Sequence, residues 1–115
     1  AQYGILNALP VMDGYLENAR SVFKTRRDLI SRRINEIPGM SIIPPRGAFY
    51  AFPSYDLDMP SSELATELAR NKLICTPGSA FGRYGEKHLR FSYAASEEKI
   101  ETGMDILENV MGRLR

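Results

Sequence analysis

From Met12 to Ile37 the apolar residues Tyr15, Leu16, Ala19, Val22, Phe23, Leu29, Ile30 and Ile34 recur at helical spacing, and Pro38-Gly39 stops the pattern. A helix of that length with one apolar stripe must be covered by another layer, so it dominates whatever the rest of the chain builds. Arg20, Lys24, Arg26, Arg27, Arg32 and Arg33 lie mostly on the other face. With Glu17, Asp28 and Glu36 interspersed, that face reads as solvated and ion-paired rather than as a nucleic-acid surface. A formal net charge of +1 over 115 residues gives no clustered basic excess of the kind nucleic acids or anionic membranes select. The apolar runs are only a few residues long, too short for a membrane span. A single cysteine, Cys75, excludes an intrachain disulfide framework, and a reducing, cytoplasmic setting is expected.

Shorter elements follow. Pro10 separates an earlier helical piece, Ala1 to Leu9, from the long helix. Strands are expected near 40–43 and 48–52, joined as a hairpin through Pro44-Pro45-Arg46-Gly47. Pro53 to Pro60 reads as a loop. A helix near 61–71 would be capped by Ser61 or Ser62, with Glu63 in its first turn. Further strands are expected near 73–76 and 89–94, with a loop from Pro77 to Gly82 between them. The last helix, near 96–113, opens on Ser96-Glu97-Glu98 and carries Ile100, Met104, Leu107, Val110, Met111 and Leu114 as its stripe. Together with the long helix near 12–37, this predicts one α+β domain over residues 1–115: a short, mainly antiparallel sheet in two layers with helices.

Few residues offer chemistry. His88 and Cys75 match no zinc spacing, and no metal site is expected. His88 reads as a partly exposed residue at a strand start. Cys75 reads as a small core residue without a base beside it. Asp56 and Asp58 read as solvated loop acids, and Gly78, Gly82 and Gly85 as backbone turns, not a phosphate-binding fingerprint. Arg90 stands out within His88-Leu89-Arg90-Phe91-Ser92-Tyr93-Ala94. A guanidinium in a half-buried strand needs a partner, because an unpaired buried charge is costly. Its planar fork suits a carboxylate, either a structural Asp or Glu or one brought by a ligand.

Three segments carry a resemblance: Pro45-Arg46-Gly47-Ala48-Phe49-Tyr50-Ala51-Phe52, Pro77-Gly78-Ser79-Ala80-Phe81-Gly82, and Leu89-Arg90-Phe91-Ser92-Tyr93-Ala94-Ala95-Ser96-Glu97-Glu98. In that order they resemble the C-terminal small domain of class I/II aminotransferases, the pyridoxal-phosphate enzymes of fold type I. The resemblance implies transfer of an amino group between an amino acid and a 2-oxo acid, with Arg90 binding the substrate α-carboxylate. It implies that Pro77 to Gly82 line the approach to that site, where shaping the backbone is as much their expected role as direct contact; Phe49 and Tyr50 read as core and strand-packing residues. It also implies a homodimer, with a large domain supplying the cofactor-bonding lysine from a Ser-x-Ser-Lys-like segment. Lys24, Lys72, Lys87 and Lys99 lack that context. The start, Ala1-Gln2-Tyr3-Gly4-Ile5-Leu6, reads as helix interior. The chain is therefore expected to be a piece lacking the large domain, binding no pyridoxal phosphate tightly and inactive alone. Two alternatives stay open: a stand-alone domain that binds a carboxylate or a protein partner, and the small domain of a related fold-type I lyase or synthase. A piece of a larger enzyme would expose an apolar patch where the remainder docks.

Overall fold

The computed structural model describes residues 1–115. The long helix forms as α2, Met12–Glu36, roughly 37 Å from end to end. A short helix, α1 (Gln2–Ala8), precedes it, and Pro10 falls in the 3-10 turn Leu9–Val11 between them. At the other end Ile37 turns to an extended conformation and Gly39 takes φ +81°, which a residue with a Cβ would resist. Only the last third of α2 is fully buried, at Ile30, Ser31 and Ile34, with Phe23 and Leu29 packed partly against the core. The expected stripe is thus half used. Tyr15 and Leu16 stay exposed, because no element of this chain reaches that end of the helix.

The helix that covers α2 is α4, Glu97–Leu114, whose Ile100, Met104, Leu107, Val110 and Met111 are buried. Ser96 caps it as expected, its Oγ accepting from the Lys99 amide at 3.3 Å, with Glu97 and Glu98 at the positive end of the helix dipole. Arg33 of α2 crosses to Glu101, Asp105 and Glu108 on α4. Leu64, Ala65 and Leu68 of α3 (Ser61–Arg70) complete one continuous core of eighteen buried apolar residues.

The strands are shorter and differently paired than expected. Residues Met40–Ser41 (β1), Tyr50–Ala51 (β2), Ser54–Tyr55 (β3), Thr76–Pro77 (β4) and Leu89–Ser92 (β5) form two antiparallel sheets, β1–β3 and β2–β5–β4. The β1–β2 hairpin does not form. Pro53, which has no amide to give a ladder, splits the run that follows Gly47. The half before it pairs with β5, Tyr50 opposite Ser92, and the half after it pairs with β1, Tyr55 opposite Met40. Beyond Ser41 the strand is replaced by a side chain: the Asn35 carboxamide accepts from the Ile42 amide at 2.9 Å and donates to its carbonyl at 3.1 Å. Ile74 is largely exposed, and only the end of the expected 73–76 strand joins the sheet.

Alternation along β5 then decides the site. Leu89 and Phe91 point into the core, so Arg90 and Ser92 point to the opposite face of the sheet, away from the core.

Candidate carboxylate site

Arg90 occupies the central strand of its sheet, half-buried, with Thr76 directly opposite on β4. None of the chain's ion pairs includes it. The reading in which a structural Asp or Glu pairs with this guanidinium is therefore not what the fold builds. Two aromatic rings take that place. The Arg90 Cζ lies 4.3 Å from the centre of the Tyr50 ring, on β2, and 4.8 Å from that of Phe81, in the 3-10 turn Gly78–Phe81 after β4. A cation over a ring face is attracted by the ring's quadrupole. One N–H reaches the Thr76 Oγ1 at 3.4 Å, a long bond. The remaining donors radiate in the guanidinium plane, the geometry that receives a carboxylate.

The rings belong to a longer band. Phe52 meets Phe81 edge-on at 5.8 Å and stacks on His88 at 4.9 Å; on the other side Tyr50 packs on Phe49 at 4.7 Å. Phe49, Tyr50, Phe52 and Phe81 are each 38–50% exposed. Tyr50 thus stands on the open face of the sheet, and Phe49, 6.1 Å from the Phe23 ring of α2, is only partly covered, so neither is a buried core residue as expected. Nor does a closed cavity surround Arg90, since none of the surface clefts is lined by it.

The loop that carries Phe81 is fixed by backbone contacts. The Gly78 amide donates to the His88 carbonyl at 2.8 Å, and Gly78 and Gly85 lie backbone against backbone with no room for a Cβ on either. Gly82 takes φ +100°. The buried Ser61 hydroxyl accepts from the Ser79 amide at 3.2 Å. Ser61 therefore pins the loop and does not cap α3, and the expectation for Ser61 or Ser62 is corrected: Pro60 is the capping position and has no side-chain acceptor. The missing acceptor comes from Glu86, whose Oε1 receives the Ser61 amide at 2.6 Å and the Lys87 amide at 3.0 Å. The Lys87 and Ser61 amides hold the Glu86 carboxyl below its usual range.

The other candidates stay apart. His88 faces Phe52 and sits 3.0 Å from the Glu86 carbonyl through Nδ1. Burial pushes the Cys75 thiol up to about 11, which suits a packing role. Asp56 pairs with Arg115 at 2.5 Å, and Asp58 is solvent-exposed 3.8 Å from Lys87. No three His, Cys, Asp or Glu groups converge on a metal position. Lys87 donates to the Leu57 carbonyl at 2.6 Å, while Lys24, Lys72 and Lys99 are exposed. No lysine joins the Arg90 cluster. No helix is long and apolar enough to cross a membrane.

No protein-family profile matches the chain. Individual proteins do. It is 40% identical over 110 residues to a probable aspartate aminotransferase of Methanocaldococcus jannaschii, covering 96% of this chain and 29% of that protein. It is 40% identical over 98 residues to aromatic-amino-acid aminotransferase 2 of Thermococcus litoralis, covering 84% and 25%. The solved alanine aminotransferase of Pyrococcus furiosus superimposes with a TM-score of 0.84 at 35% identity, over 87% of this chain and 26% of that one. The chain thus spans under a third of the relatives it matches.

Proposed function

The chain belongs to the fold-type I aminotransferases as a portion of their length, and we propose that it is their small domain, with Arg90 binding the α-carboxylate of an amino-acid or 2-oxo-acid substrate. One observation carries the proposal: a half-buried arginine with no acidic partner in its own chain, held over two rings with in-plane donors to spare. A carboxylate arriving there would form parallel charge-assisted hydrogen bonds, worth on the order of 1.5–3 kcal/mol. Fixing one carboxylate orients the bonds at the adjacent carbon, which is what a proton transfer at that carbon requires.

Pyridoxal phosphate, when bound by the rest of such an enzyme, supplies the electron sink for that proton transfer. This chain's part is to hold the substrate and, with its band of aromatic side chains, to exclude water from one side. The exposed apolar residues Tyr3, Leu6, Leu9, Val11, Tyr15 and Leu16 on α1, its following turn and α2 support a second body docking there. In this reading the isolated chain is inactive, and the complete enzyme is a homodimer.

The test is Arg90→Ala in the complete transaminase. We expect kcat/KM for the amino donor to fall by about 2–4 kcal/mol in transition-state terms, the scale for removing one partner of a desolvated charge pair. Arg90→Lys keeps the charge but not the fork and should recover only part of it. An unchanged kcat/KM in Arg90→Ala would overturn the proposal.

A further inference from the structure

Resting on the assignment of Arg90 to the substrate carboxylate, we infer that Tyr50 and Phe81 are positioning residues that hold the guanidinium plane so that the carboxylate meets its N–H edge. An arginine side chain has several rotatable bonds, and a bidentate bond forms only when the fork faces the carboxylate in plane. In proteins an acidic neighbour commonly fixes that plane, but an acid here would compete with the substrate. The bond to Thr76 is too long at 3.4 Å to fix it alone. The two rings, with Arg90 Cζ at 4.3 and 4.8 Å from their centres, constrain the cation without consuming donors.

Each ring is itself held, by independent means. Tyr50 is set by the strand ladder, opposite Ser92 on the same face as Arg90, and by Phe49 at 4.7 Å. Phe81 is set by its loop, which the Gly78–His88 and Ser79–Ser61 bonds pin, and by Phe52 at 5.8 Å. Ser61 therefore acts on Arg90 at one remove: releasing the Ser79 amide frees the loop that carries Phe81.

The experiment uses the holoenzyme containing this domain and two inhibitors of equal shape, butanoate and butanamide, beside kcat/KM for the amino donor. Phe81→Leu and Tyr50→Leu keep apolar bulk but remove the ring. Each should weaken butanoate inhibition by roughly 3- to 30-fold, the range of a cation–ring contact, and leave butanamide within about twofold. Tyr50→Phe keeps the ring and should retain wild-type selectivity. Ser61→Ala should give a smaller loss of the same sign. Equal weakening of both inhibitors means that the rings serve only the fold and overturns the inference, as does unchanged butanoate inhibition in both leucine variants. Arg90→Ala separates the two levels. If it leaves butanoate binding untouched, the assignment of Arg90 itself falls. If it abolishes selectivity while the ring variants do not, only the positioning role falls. If Phe81→Leu does not fold, the Tyr50→Leu and Tyr50→Phe pair decides alone.

Discussion

Gly78→Ala should unfold the loop that carries Phe81 more effectively than any polar change nearby. A Cβ at position 78 would collide with the Gly85 carbonyl and stand 2.6 Å from the His88 carbonyl oxygen, well inside the roughly 3.5–4.0 Å of ordinary contact. Both obstacles are backbone, so neither can swing aside. The 3-10 turn Gly78–Phe81 must then separate from the Arg83–Gly85 turn by about 1 Å or more, which breaks the 2.8 Å bond from the Gly78 amide to His88. Overpacking of this kind costs about 1–3 kcal/mol, and the lost hydrogen bond about 1 kcal/mol. A total of about 2–4 kcal/mol lowers the melting temperature of a chain this size by roughly 10–20 °C. Thermal unfolding followed by circular dichroism measures it. Gly85→Ala meets the same contact from the other side, so the double variant should cost much less than the sum of the singles. A drop of under about 3 °C for Gly78→Ala, or full additivity in the double variant, would refute the close approach as the reason for these two glycines.

Glu86→Gln should destabilise the chain in a pH-dependent way. The folded carboxyl sits below its ordinary value of 4.5, so its charge contributes stability above that value and loses the contribution as pH falls through the lower, folded value. The melting temperatures of wild type and variant should therefore differ at neutral pH and converge as the medium is acidified below the folded value; a constant gap would sink the account. Cys75, with its thiol at about 11, should be alkylated at about pH 8 at least roughly a hundredfold more slowly than a free cysteine thiol, and a rate near that of glutathione would show the site to be open. Arg33→Met should leave Glu101, Asp105 and Glu108 facing one another across one stripe of α4, costing about 1–2 kcal/mol at low salt and less in about 1 M salt. An identical loss at both ionic strengths would argue that Arg33 acts through packing alone.

How far the sequence could be read depended on whether the deciding contact was local. The α4 stripe and its Ser96 cap are properties of residues three and four apart, and both stand as expected. The two-layer α+β arrangement follows from the order of such elements. The strand partners do not, because Pro53 merely forbids one pairing and leaves the choice of β5 and β1 to distant residues. Asn35 imitating a strand for Ile42 gives no periodic signal at all. The acceptor at the start of α3 comes from Glu86, twenty-five positions downstream of Ser61, so nothing local marks it, and the Ser61 hydroxyl serves the 78–81 loop instead. At the site, the need of Arg90 for a partner was legible from its strand. That the partners within the chain would be Tyr50 and Phe81 was not, since one reaches it across the ladder and the other through a loop. The signal that pointed closest was the alternation in β5, which puts Arg90 on the face away from Leu89 and Phe91.

The two halves of α2 tie these observations together. The apolar positions from Tyr15 to Phe23 are separated from Leu29, Ile30 and Ile34 by Thr25-Arg26-Arg27, and this chain fully buries only Ile30 and Ile34 of them. A second body lying on the first half of the helix would give its exposed Tyr15, Leu16 and Val22 a partner. In the proposed enzyme one rigid rod then enters both bodies, with its far end anchored in the core beneath β5. A substrate held between Arg90 and groups of the second body would draw the two together, and the movement would have to be taken up near the exposed half of α2, where packing from this side has ended. The small domain would thereby report binding of a carboxylate as a change in its angle to the rest of the molecule.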